Sequence, residues 1–125
     1  TCDNNKLTNL DLTSNSNLRY LNCDDNLLTT INLNSNLNLT HLYCENNNLG
    51  TINLSQNFYL RELWLRYNSL TDLDFRNGNN TYLNNFKLRY NPYLYCIDVD
   101  NVTYSSNNWV HIDAQSFFSE DCGVK

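Results

Sequence analysis

Five cysteines and two histidines are the residues of this 125-residue chain best suited to metal or covalent chemistry, and their spacing argues against both uses. Cys2, Cys23 and Cys44 recur at one even interval, offering three sulfurs where zinc asks for four convergent ligands. His41 and Glu62 stand apart by the same interval, but two ligands on rigid backbone make a weak site unless a second molecule completes it. Surface ion pairing is their commoner use. Ser116 and His111 have no motif around them, and His111 beside Asp113 reads as a surface polar pair. No Gly-rich phosphate loop and no supported nucleophile–histidine pair is present. The chain is therefore expected not to be an enzyme, to need no cofactor, and to hold no metal beyond the weak candidates His41 and Glu62.

The even spacing of the cysteines is part of a longer repeat. Leu18, Leu21, Cys23, Asn26, Leu28, Ile31 and Leu33 align with Leu39, Leu42, Cys44, Asn47, Leu49, Ile52 and Leu54, and again with Leu60, Leu63, Leu65, Asn68, Leu70, Leu73 and Phe75. An earlier partial copy supplies Cys2, Asn5, Leu7, Leu10 and Leu12, so the expectation is that something precedes Thr1. A fifth copy, Leu83, Phe86, Leu88 and Asn91, arrives two positions late because Arg76 to Tyr82 carries an insertion that includes Gly78. After Pro92 the pattern shifts to Leu94, Ile97 and Val99 and then stops.

One such unit cannot bury its own apolar side, so units must stack as coils with every inward position forming a ladder. Leucines, with Cys2, Cys23 and Cys44 as small buried thiols, then form the core. Parallel Cβ vectors in a stacked ladder do not suit a disulfide, so these three are expected to be free. Asparagine is the most frequent residue of the chain although it favours neither helix nor strand. The column Asn26, Asn47, Asn68, Asn91 falls where the chain turns inward, and an amide there can satisfy backbone groups of neighbouring coils. A second column, Asn15, Asn36 and Asn57, is expected to do the same at the opposite corner. The return stretches, such as 29–36, are too short for a helix and alternate like strands.

These residues resemble the leucine-rich-repeat family, whose segment LxxLxLxxNxL is met by Leu39 to Leu49. The echo of the first half of each unit in the second (LGTINLSQN from Leu49 to Asn57) resembles the short 21-residue nested type found in secreted or surface proteins of bacteria. The resemblance implies a β-rich solenoid with a parallel sheet on the concave face and short extended or strand segments on the convex side. Helix is expected only in the C-terminal cap. The solenoid is expected over 1–92 and the cap over 93–125. Residues 93–122 resemble the caps that close such solenoids in secreted bacterial proteins, with Trp109, Ile112, Phe117 and Phe118 available to cover the last leucines and Asp100 to begin a short helix through about Ser106. A Cys96–Cys122 disulfide there would enclose about 27 residues and place the protein outside a reducing cytosol.

A net charge of −5 and a pI near 4.7 argue against nucleic acid, which wants a basic footprint. No run approaches the ~20 apolar residues of a membrane span. Function must then lie on the outward positions of the concave strands. Three columns read off the register: Tyr20, His41, Glu62, Asn85; Asn22, Tyr43, Trp64, Lys87; and Asp3, Asp24, Glu45, Arg66, Arg89, flanked by Asn4, Asp25, Asn46, Tyr67 and Tyr90. Large aromatics on a concave sheet are what binding surfaces use, although stacking between rungs and a Glu45–Arg66 pair would also stabilise the coils themselves. The binding face is expected to comprise Tyr20, His41, Tyr43, Glu45, Glu62, Trp64, Arg66, Tyr67, Lys87 and Arg89. Five rungs at ~4.8 Å give on the order of 300 Å², small against ~800 Å² per side of a standard protein interface.

The leading expectation is an adhesin-like module of a secreted or cell-surface bacterial protein that binds a protein or peptide. Glycan binding, with Trp64 and Tyr43 as platforms, and a structural spacer presenting another domain are the alternatives. A homodimer by stacking or swapping of coils at the uncapped N-terminal end is a further expectation.

Overall fold

In the computed structural model, which describes residues 1–123, the chain winds into about five stacked coils. The elements are β1 (Tyr20–Asn22), β2 (His41–Tyr43), β3 (Thr51–Asn53), β4 (Glu62–Trp64), β5 (Asp72–Asp74), a 3-10 turn (Asn80–Tyr82), β6 (Asn85–Lys87), β7 (Cys96–Asp98), α1 (Val102–Asn108) and β8 (Phe117–Ser119). They form two parallel sheets, β1-β2-β4-β6 and β3-β5-β7-β8. The first sheet holds Leu21, Leu42, Leu63 and Phe86 in one register column. The second aligns Ile52, Leu73, Ile97 and Phe118. This is a β-solenoid with parallel sheets and one short helix, the return segments forming the second sheet, as the alternation of the sequence predicts.

The ladder positions are buried from Leu21 through Val99. Each coil is also tied to the next by one repeated backbone bond. Cys2 N–H donates to Asn22 C=O at 2.9 Å, Cys23 to Tyr43 at 2.8 Å, Cys44 to Trp64 at 2.9 Å, Leu65 to Lys87 at 2.8 Å and Leu88 to His111 at 2.9 Å. Asn68 shows the work of the first amide column: its Nδ2 donates to Cys44 C=O (2.9 Å) and Leu65 C=O (3.1 Å), and its Oδ1 accepts from Leu49 N–H (3.0 Å). Asn26 and Asn91 repeat this pattern, and Asn47 does so with Glu45 C=O in place of the carbonyl three residues back. In the second column Asn36 bridges Leu12 C=O and Asn15 C=O, and Asn57 bridges Leu33 C=O and Asn36 C=O. Buried amides that reach across coils are why so Asn-rich a chain can be ordered.

The cap continues the ladder partly with side chains. Asp113 accepts from Tyr90 N–H (2.9 Å) and Asn91 N–H (2.8 Å), standing where another coil's carbonyls would lie. Its carboxylate thus holds the cap rather than pairing with His111 at the surface, as the sequence suggests. Ser116 donates to Leu94 C=O at 2.6 Å. Trp109 is buried over Phe86, with ring centroids 4.9 Å apart, and Ile112 and Phe118 join the core. Phe117 is exposed instead, because alternation in β8 turns Phe118 inward. Cys96 and Cys122 are disulfide-bonded, whereas Cys2, Cys23 and Cys44 are free thiols. Asn101 and not Asp100 caps the helix, accepting from Tyr104 N–H at 2.8 Å, and the helix continues past Ser106 to Asn108. Asp100 instead exchanges hydrogen bonds with Asn80. The insertion adds a short 3-10 turn outside the cap, entered through Gly78 at φ 81°.

Candidate functional site

The concave sheet brings together the outward residues in the register that the repeat implies. Tyr20, His41, Glu62 and Asn85 are successive partners, and so are Asn22, Tyr43, Trp64 and Lys87. Their exposure differs from the expectation. Tyr43 is only 8% exposed, because Tyr20 meets it edge-on at 5.2 Å and Trp64 lies against it at 4.4 Å. Its hydroxyl donates to the Glu62 carboxylate, and burial, followed by that hydrogen bond, pushes its ionisation above the ordinary tyrosine value. Lys87 Nζ stands 4.0 Å from the centroid of the Trp64 ring. Neither Tyr43 nor Trp64 is therefore an open platform for a sugar. The Trp64 indole N–H is buried and has no acceptor among the described residues.

Glu45 is 7% exposed and takes both Nε and Nη2 of Arg66, the latter at 3.0 Å. The hydrogen bond to Glu45 holds the Arg66 guanidinium above its usual value. This bidentate pair neutralises the middle of the third column. Acid remains at Asp24 and base at Arg89, which has no ion pair among the described residues. His41 Nδ1 lies 2.8 Å from Thr40 Oγ1, and Glu62 is engaged by Tyr43. The described residues hold no group of three His, Cys, Asp or Glu placed for a metal ion.

Immediately before the amide column the backbone adopts positive φ in every coil: 55° at Asn4, 56° at Asp25, 53° at Asn46, 59° at Tyr67 and 67° at Tyr90. Short polar side chains tolerate this conformation, whereas a bulky residue there is an outlier. Tyr67 and Tyr90 are 48% and 53% exposed. The sequence places both rings on this face but carries no signal for their backbone.

A second concavity is absent from the sequence reading. A groove of about 400 Å³ runs along the corner where each return segment enters the concave sheet, lined by Arg19, Asn38, Thr40, Tyr59, Arg61 and Tyr82. The available signal was two arginines, Arg19 and Arg61, at one repeat position, and two tyrosines, Tyr59 and Tyr82, at another once the insertion is counted.

No family profile and no curated protein matches the chain. One solved structure that it is similar to is described as the functional domain of InlJ from Listeria monocytogenes, which includes a cysteine ladder. The two are 27% identical with a TM-score of 0.46, and the match covers 74% of this chain and 27% of that one. The chain thus spans about a quarter of the length of that structure. Among the described residues no helix is long and apolar enough to cross a membrane.

Proposed function

We propose that the chain is a non-enzymatic recognition module whose concave face binds a protein or peptide segment, displayed by a secreted or surface protein of a bacterium. The observation that carries this reading is the pair Tyr67 and Tyr90, held exposed in an unfavourable backbone conformation beside Arg89, which has no ion pair among the described residues. Strain of this kind persists where a surface is selected for contact. Aromatic and arginine side chains are the usual anchors of interfaces. The Cys96–Cys122 disulfide suits an oxidising compartment, and the repeat pattern resembles that of bacterial surface proteins.

The test is binding of the fluorescently labelled chain to epithelial cell layers, with and without prior trypsin treatment. Binding that trypsin abolishes and Tyr67→Ala/Tyr90→Ala reduces at least tenfold supports the reading. Binding indifferent to trypsin, or to the two substitutions together, contradicts it.

A further inference from the structure

We infer that the corner groove is a second binding site, separate from the concave face, and that it takes an acidic saccharide through its carboxylate. Arg19, Thr40 and Arg61 stand on three successive rungs. Thr40 N–H and Oγ1 both donate to Arg19 C=O at 2.8 Å, and Arg61 N–H donates to Thr40 C=O at 2.8 Å. Asn84 N–H then donates to Arg61 C=O at 2.9 Å, so the column is pinned on both sides. With rungs about 4.8 Å apart, the two arginines bracket Thr40 across roughly 10 Å, within reach of one anionic group.

None of the described residues that line the groove is an acid. Neither arginine forms an ion pair among the described residues, and the nearest carboxylate in sequence, Glu62, is engaged by Tyr43 on the other face. Two unpaired guanidiniums on one rigid edge of a chain with net charge −5 are a local departure from the acidic whole. Guanidinium groups match the geometry of a carboxylate.

The remaining lining favours a sugar. Tyr59 and Tyr82 are exposed, and the Asn38 amide, whose Nδ2 donates to Ser16 C=O at 3.2 Å, leaves its oxygen as an acceptor between them. Ring faces beside hydrogen-bonding groups suit a pyranose, whereas a peptide would want an apolar pocket for an anchor side chain. The insertion in the fourth coil is what brings Tyr82 here, as the last residue of the 3-10 turn. A volume of about 400 Å³ lies within the ~300–1,000 Å³ of small-ligand sites.

The experiment is an amide-resolved NMR titration of the intact chain with four probes: sialyllactose, a glucuronate-terminated disaccharide, lactose and a triglutamate peptide. Saturable shifts centred on Thr40, Arg61 and Tyr82 with at least one acidic saccharide, and none with lactose, are expected. Which of the two binds identifies the source of the carboxylate. Arg61→Gln and Arg19→Gln should each weaken that binding at least tenfold, with Arg61→Lys intermediate, and rising salt should weaken it in the wild type. Unchanged spectra away from the groove verify folding, and if one glutamine variant fails to fold, the other and the salt series still decide. The inference is overturned if neither acidic saccharide binds, if lactose or triglutamate binds as tightly, if the shifts centre on Tyr67 and Tyr90, or if the folded glutamine variants keep full affinity.

Discussion

The rings of Tyr67 and Tyr90 lie 4.3 Å apart and 5° from parallel, and both residues sit at positive φ, where earlier coils place Asn4, Asp25 and Asn46. The left-handed conformation costs a bulky residue about 1–2 kcal/mol. A stacked aromatic pair returns about 0.5–1.5 kcal/mol. The single substitution Tyr90→Asn relieves one strained residue and loses the stack, so the two effects nearly cancel. Its unfolding free energy in urea is expected to match wild type to within about 0.5 kcal/mol. A loss well beyond the worth of one stacked pair would show that the stack outweighs the strain.

The amide columns predict a sharp contrast between asparagines. Asn68→Ala strands Cys44 C=O and Leu49 N–H in the core, while Leu65 C=O keeps its hydrogen bond from Asn91 Nδ2. At about 1–3 kcal/mol for each unsatisfied group, the loss should be at least about 2 kcal/mol in urea unfolding. Asn17→Ala, at an exposed position, should change stability by less than about 0.5 kcal/mol. Equal effects would refute the bridging role.

Thiol counting checks the core cysteines. Cys23 and Cys44 are fully buried, and the Cys44 thiol is pushed well above its ordinary value by its hydrogen bond with Cys23, 2.7 Å away, and then by burial. An aromatic disulfide reagent should leave both unreacted in the native chain. In urea without reductant it should titrate Cys2, Cys23 and Cys44, the three free thiols. Fewer than three would mean that two of them are bonded.

The cap disulfide joins Cys96 and Cys122 at a sequence separation of 26. Closing such a loop contributes about 3 kcal/mol in the chain-entropy picture. Cys96→Ser/Cys122→Ser should lower the unfolding free energy by about that amount and first increase hydrogen exchange in β7 and β8.

Asp24 gives a pH signature. Burial raises its carboxyl above the usual 3.8; the Glu45 N–H that donates to it opposes the shift, and the Glu45, Asp25 and Asp3 charges add to it. A carboxyl raised on folding lends stability while protonated, below its unfolded value, and loses it as pH rises through the raised folded value. At neutral pH the charged form is therefore a cost. Asp24→Asn keeps an acceptor for Glu45 N–H, so it should raise the urea midpoint at pH 7. The gain should vanish as pH falls below 3.8, and a gain independent of pH would rule this cause out.

The ladder was legible because burial restricts each inward position to a few residue types, so Leu21, Leu42 and Leu63 announce their column. The outward face was legible only as positions. Tyr43 is covered by rings from two neighbouring rungs and Glu45 by its pairing with Arg66, which depend on side-chain directions that a repeat pattern does not encode. The left-handed backbone at Tyr67 was hidden because Asn or Asp fills that position in the earlier coils and tyrosine gives no hint of it. The corner groove has no signature within a single repeat, because it arises between coils, from Arg19 and Arg61 two repeats apart and a tyrosine delivered by an insertion.

The central claim is that Tyr67 and Tyr90 are kept for contact at the expense of stability. The most direct measurement is the urea midpoint of Tyr67→Asn/Tyr90→Asn beside wild type. Two strained residues are relieved for one lost stack, so the double variant should be more stable by about 1 kcal/mol. A double variant less stable than wild type would contradict the claim and make the ring pair a brace between coils.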